Sequence, residues 1–263
     1  MTSKKMAIMQ PYLFPYLGYF QLIAAVDIFV IYDDTQLISR GWVNRNRILV
    51  NGEPSFITLP LKKAPLQESI NSRFFVHDIE WHKQKALKAI RMSYSRAPYF
   101  KESYPLIESI FACPEINVAT FNENSIRKIC RYLEIATPIR ISSELGIGTE
   151  LSGKDRVIAM LTGSGAKAMI TPIGGVELYS CDEFMQLGIE LKFIKMNDIV
   201  YRQFGSSFIQ NLSIIDAFMF MHRSEIRERL SDYSLIDNFT SNAESRHGIR
   251  AHRPLDSDHS RIC

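Results

Sequence analysis

The run with the most chemical capacity in this chain is Gln10-Pro11-Tyr12-Leu13-Phe14-Pro15-Tyr16-Leu17-Gly18-Tyr19-Phe20. Tyr12, Tyr16 and Tyr19 each offer a flat face for stacking on a base or sugar and a hydroxyl for hydrogen bonding. Gly18 has no Cβ and lets a backbone come close to a ligand; a helix starting there would favour an anion such as phosphate at its N-terminus. The same residues also read as a proline-braced aromatic loop packed beneath a helix. Composition alone does not separate the two readings.

Asp33-Asp34 closes a second apolar run. A carboxylate there could hydrogen-bond a ribose, orient an amine, act as a general base or help to hold Mg²⁺, or it could be a solvated acidic turn. Arg40-Gly41-Trp42-Val43-Asn44-Arg45-Asn46-Arg47 places three Arg and two Asn around a Trp. Guanidinium forks suit bidentate phosphate recognition, and Asn or Trp could read a base or sugar; a surface charge cluster is the alternative. Gly148 to Asp155 approaches the phosphate-loop pattern, but Asp155 replaces the hydroxyl that should ligate Mg²⁺ and Glu150 adds further negative charge. An ATP-hydrolysing loop is therefore not expected, while Lys154 and Arg156 at a helix start remain anion candidates. The spacing of His77, Asp78, Glu80 and His82 does not fit one helical face, so no metal site is expected. No motif supports a serine or cysteine nucleophile. Tyr201-Arg202-Gln203-Phe204 leads toward a helix for which Ser213 is the expected N-cap, with Asp216 completing a capping-box-like pair.

Elements must place these groups. Lys5 to Met9 reads as a strand, Pro11 to Pro15 as a loop, Gly18 to Ala25 as a short helix and Ile28 to Tyr32 as a strand. That is a βαβ unit with a parallel pair, which puts the aromatic run at a strand end, where open α/β sheets hold ligands. Arg47 to Val50 and Ser55 to Leu59 flank Asn51-Gly52, a hairpin signal. Ile79 to Tyr94, Tyr99 to Ala112 and Asn117 to Leu133 carry helical periodicity, with Pro105 expected to kink or divide the middle helix. Strands are expected at Ile139 to Ser142, Ala168 to Thr171 and Glu190 to Ile194, and helices at Lys154 to Leu161 and Ile214 to His222. The expected fold is a Rossmann-like α/β parallel sheet in residues 1–241, with a helical insertion at about 79–134 and a β-hairpin. Residues 242–263 hold few large aliphatic side chains and are expected to be a disordered tail.

Composition sets outer limits. The 31 basic and 28 acidic side chains leave +3, too little for a general DNA binder, which needs a clustered cationic excess. The longest apolar stretch, Phe20 to Tyr32, is interrupted by Gln21 and Asp27 and falls well short of the ~20 residues of a bilayer span. No apolar signal-peptide core follows Met1, and Cys113, Cys130, Cys181 and Cys263 are too scattered for a disulfide frame. A cytoplasmic protein is the expectation. The 11 Tyr and 16 Phe are the compositional oddity, and they concentrate at Tyr12–Phe20, Tyr94–Tyr104 and Tyr201–Phe208.

The run from Gln10 to Ile23, then Phe29-Val30-Ile31-Tyr32-Asp33-Asp34-Thr35-Gln36, resembles the WbqC-like protein family of bacterial polysaccharide gene clusters. Asn44 to Ile48, Trp81, Tyr94 to Phe100 and Leu212 to Asp216 recur in the same order, so the likeness spans roughly residues 6 to 220. It implies a step in making O-antigen or related surface sugars: acyl or aminoacyl transfer, glycyl for example, to the amine of a nucleotide-linked amino-dideoxy sugar. On that reading Asp33 or Asp34 takes the amine proton. Substrate contacts are expected from Gln10, Tyr12, Tyr16, Gly18, Tyr19, Gln36, Asn44, Arg45, Arg47, Lys154, Tyr201 and Gln203, with Arg45 and Arg47 on the diphosphate. No motif identifies the acyl or aminoacyl donor. The N-terminal layout is also similar to the nucleotidyltransferase and pantothenate-synthetase superfamily, with Tyr16 and Tyr19 where that signature has His. This implies a runner-up, an ATP- and Mg-dependent ligase joining an amino acid to the sugar. A nucleotide-sugar-binding subunit without catalysis is the third reading, and a homo-oligomer is left open.

Overall fold

The strands are apolar on both faces, which forces a layer of helices on each side. In β1 (Lys5–Met9), Met6 and Ile8 bury against one layer and Ala7 against the other; in β2 (Ile28–Ile31), Val30 joins the first set and Phe29 and Ile31 the second. The computed structural model describes residues 4–65, 67–205 and 207–236. Its sheet adds β5 (Ile139–Ile141), β6 (Ala168–Pro172), β7 (Glu190–Met196) and β8 (Tyr233–Ile236), in the order β5-β2-β1-β6-β7-β8. All neighbours are parallel except β7 and β8, so the α/β, Rossmann-like expectation holds. The expected disordered tail at 242–263 lies outside the described residues.

On one face, α6 (Gly153–Gly163) and α7 (Cys181–Gln186) cover Met6, Ile8, Val30, Met169 and Phe193. The other face carries α1 (Leu17–Ala24), the helical insertion and α8 (Ile214–Phe220), packed on Ala7, Phe29, Ile31, Ile170 and Ile194. The insertion comprises α2 (Ile79–Tyr94), α3 (Phe100–Phe111) and α4 (Val118–Tyr132). Pro105 does not divide α3. It and Lys101, whose carbonyl loses its helical partner, are both exposed, so water can take that bond while Tyr104, Ile107 and Ile110 hold the buried side.

The hairpin forms a separate two-stranded sheet, β3 (Arg45–Val50) and β4 (Glu53–Thr58). Asn51 at φ 52° and Gly52 at φ 83° close it on the Val50–Glu53 pair, with the positive angles that the Asn-Gly signal predicted. Periodicity did not announce the short elements α5 (Ser142–Leu145), α7, α9 (Arg223–Arg229) and β8. Among the described residues no helix is long and apolar enough to cross a membrane.

Candidate functional site

The chain leaves β1 toward β2 on one side of the sheet and leaves β6 toward β7 on the other, so the connections diverge at the carboxyl ends of β1 and β6. Open α/β sheets bind ligands at such a switch point. Here a cavity of about 900 Å³ occupies it, bounded by the loop after β1, the Pro172–Gly175 turn after β6, the segment after β7 and the hairpin. That is within the range of sites for nucleotide-sized ligands.

One corner of the cavity is built by long-range backbone ties. The Ser213 amide donates to the Arg47 carbonyl and the Ile214 amide to the Pro15 carbonyl, each at 2.9 Å. Asn46 Nδ2 donates to the Leu13 and Phe14 carbonyls at 2.9 and 2.8 Å, and Ser213 Oγ donates to Phe14 O at 2.8 Å. These bonds fix the loop although Phe14 sits at φ 42°, a conformation that a bulky residue rarely adopts. Arg47 and Tyr16 are thereby held in the same corner.

Arg47 Nη2 donates to Asn211 O at 3.3 Å and its guanidinium carbon lies 5.7 Å from the centre of the Trp42 ring. Its Nε is buried and makes no hydrogen bond. Burial lowers the Arg47 pKa, but a guanidinium stays cationic at neutral pH. Burial also pushes Tyr12 up to about 12 and raises Tyr16, so both phenols remain donors. Neither hydroxyl bonds to any described protein group.

Behind the cavity wall lies a buried carboxylate. Asp216 is fully buried and accepts from Tyr94 at 2.8 Å, Tyr201 at 2.8 Å and Gln203 at 2.6 Å. The Tyr94 oxygen in turn accepts from the Leu49 amide at 2.7 Å. Desolvation raises the Asp216 pKa and these hydroxyl and amide donors oppose it; desolvation and the adjacent carboxylate raise both tyrosines. The expected capping box is therefore corrected. Ser213 does cap α8 through the Ile215 amide at 3.3 Å, but Asp216 turns inward to the tyrosines instead of back to the Ser213 amide.

The model of the WbqC-like protein family matches residues 10–228, from the loop after β1 through most of α9. This chain belongs to that family. It is also 30% identical over 217 residues to the uncharacterized protein Rv1507c of Mycobacterium tuberculosis (strain ATCC 25618 / H37Rv), which covers 81% of this chain and 92% of that one.

In this WbqC-like protein the motif residues divide sharply. Tyr12, Tyr16, Arg47 and Tyr201 line the cavity. Tyr19 is a core residue that donates to the Gln10 carbonyl at 2.9 Å, and Gln10 Nε2 reaches the Gln36 carbonyl at 3.3 Å. Gly18 makes room for protein: a Cβ there would stand 2.4 Å from the Tyr16 ring. Asn44 donates to Leu59 O at 3.0 Å, and Arg45 folds back to Gly41 O at 3.2 Å with its guanidinium 4.5 Å from the centre of the Phe56 ring. Gln203 grips the Ile209 backbone from both ends of its amide, at 3.1 and 2.8 Å, and closes its own loop. Lys154 is paired with Glu183 at 2.8 Å, which raises its pKa.

Asp33 and Asp34 also stand apart from the cavity. Asp33 accepts from Ser142 Oγ at 2.9 Å, the Ser143 amide at 3.0 Å, Ser143 Oγ at 2.7 Å and Asn71 at 3.2 Å, and so holds the start of α5. Asp34 shares the one Ser142 hydroxyl proton with Asp33 and pairs with buried Arg156 at 2.7 Å. Carboxylates engaged on this scale serve as struts, and neither of the two expected to act as the base lines the cavity. Trp42 and Asn211, from runs that motif reading noted, line the cavity as well, and so do Gly174, Gly175 and Asp198, which it passed over. The glycines that directly follow the Ala168–Pro172 strand were the available signal. In the run considered for metal, Glu80 pairs with Lys83 at 2.7 Å and Asp78 stands 3.6 Å from His82. Burial pushes the Cys130 thiol up to about 12, far from a reactive thiolate.

Proposed function

We propose that this protein transfers an acyl or aminoacyl group, glycyl for example, to the amine of an amino-dideoxy sugar carried on a nucleoside diphosphate, a step toward O-antigen or a related surface polysaccharide. Membership of the WbqC-like family supports the context. One structural observation carries the reading: the switch-point cavity gathers the hydroxyls of Tyr12 and Tyr16, which bond to no described protein group, and Arg47, which has no carboxylate partner among the described residues. Among the described residues lining it, Asp198 is the one carboxylate.

The chemistry follows from that division. The sugar amine attacks the acyl carbon of the donor, the N–C bond forms and the bond to the leaving group breaks with its electron pair. The amine proton passes to Asp198, because an amine must shed a proton to end as an amide. Tyr12 and Tyr16 donate to sugar or phosphate oxygens as neutral phenols. Incubating the protein with amino-sugar nucleotides and thioester or aminoacyl-adenylate donors should give a mass gain located on the amine. Asp198→Asn should cut kcat by about 10²–10⁴, the usual contribution of a general base, with a smaller change in KM. Amino-sugar nucleotides bound but never acylated by any donor would sink the transfer reading.

A further inference from the structure

We infer that the Arg47 corner of the cavity is a diphosphate subsite, with the guanidinium of Arg47 and the hydroxyls of Tyr12 and Tyr16 as its donors; the identity of the natural ligand rests on the nucleotide-linked substrate proposed above.

Cations elsewhere on the loops that motif reading singled out are engaged by the chain. Arg45 binds the Gly41 carbonyl, Arg156 pairs with Asp34 and Lys154 pairs with Glu183. Arg47 pairs with no carboxylate among the described residues, and its Nε is sealed from solvent without an acceptor. An anion in the cavity cannot reach that sealed nitrogen, so the donors it would meet are on the Nη atoms, and it would supply the counter-ion that the guanidinium lacks. Its one protein bond, to Asn211 O, uses Nη2 alone. The Trp42 ring beside the guanidinium leaves the edge donors available to a planar or tetrahedral oxyanion.

The surroundings favour negative charge in this corner. Asp216, the buried carboxylate bonded to the lining residue Tyr201, already accepts three hydrogen bonds. Asp198 enters from the segment after β7, not from the loop or the hairpin that build the corner. Tyr16 is the N-cap of α1, whose first turn contains no acidic residue and no side-chain cap. Ser213 and Ile214 tie the Arg47 and Pro15 backbones side by side, so a ligand with two linked phosphates that meets Arg47 has Tyr16 on the adjoining segment of the lining.

Calorimetric titration with inorganic pyrophosphate, UDP, dTDP, GDP and uridine tests the assignment on the intact chain. Pyrophosphate and at least one nucleoside diphosphate should bind, and uridine should bind at least about tenfold more weakly than UDP or not at all. Arg47→Gln should weaken pyrophosphate and nucleoside diphosphate by about tenfold or more, Arg47→Lys by less, and Tyr16→Phe by a few-fold. Lys128→Gln, on α4, serves as the charge control and should bind like the parent. If Arg47→Gln does not fold, Arg47→Lys decides. Parental affinity in the folded Arg47 variants overturns the subsite, as does failure of the parent protein to bind pyrophosphate and all three diphosphates. Diphosphate binding that needs Arg47, without acyl transfer to any sugar nucleotide, upholds the subsite and defeats the transfer reading.

Discussion

Tyr94→Phe removes one oxygen that serves two buried partners, which makes it the sharpest test of the Asp216 cluster. Tyr94 is fully buried; its hydroxyl accepts from the Leu49 amide at 2.7 Å and donates to Asp216 at 2.8 Å. Losing a hydrogen bond to a charged acceptor costs about 1.5–3 kcal/mol, and stranding a buried amide costs about 1–3 kcal/mol. The two losses share one atom and do not simply add, so the expected destabilisation is about 3 kcal/mol. At about 2–4 °C per kcal/mol for a chain of this size class, the midpoint should fall by about 6–12 °C. Tyr201→Phe is the internal comparison. Its hydroxyl donates to Asp216 at 2.8 Å but receives no backbone amide, so its cost should be about half. Urea unfolding of both variants measures the order, and hydrogen exchange at the Leu49 amide should accelerate only in Tyr94→Phe. A loss below about 0.5 kcal/mol, or a larger loss for Tyr201→Phe, would refute the claim that this hydroxyl is shared between buried partners.

Other consequences follow from the same geometry. Burial raises the Asp216 pKa above 3.8, so the native state holds that proton more tightly than the unfolded chain; its contribution to stability therefore falls as pH rises from 3.8 through the native value, and urea melts across that acidic range should show a descent that Asp216→Asn lacks. Arg156→Met leaves Asp34 without its partner; with Arg156 only 2% exposed but Asp34 22% exposed, the cost should be about 2–3 kcal/mol by chemical denaturation, short of a fully buried pair. Gly18→Ala gains helix propensity of about 0.5–1 kcal/mol yet drives a Cβ against the Tyr16 ring, so the melting temperature should hold while pyrophosphate affinity falls. Asp33→Asn should lower stability by about 1–3 kcal/mol and leave turnover per folded molecule within about twofold, whereas strongly slowed turnover in the folded variant would restore it as the base.

What was legible in the sequence was local. Short continuous apolar runs set the strands, Asn51-Gly52 set the hairpin, and the succession of strand, loop, helix and strand set the βαβ unit and with it the end of the sheet where a ligand belongs. Short elements such as α5 and β8 carry too few residues to show a period. The site was legible only in outline, because its chemistry depends on partners far away in the chain. Asp33 looks free until Ser142, 109 residues on, bonds to it, and Asp216 looks like a cap until Tyr94, 122 residues before it, takes its oxygen. The arginines make the same point most plainly. Arg45 and Arg47 lie two residues apart on one strand with the same charge and the same fork, so neither residue type nor spacing separates them. Only the fold does: it supplies carbonyl acceptors to Arg45 from its own loop, and it buries Arg47 Nε beside a cavity with nothing to accept its proton. A cation's capacity to bind a ligand is set by how many of its donors the protein leaves over, and that count exists only once the chain has folded.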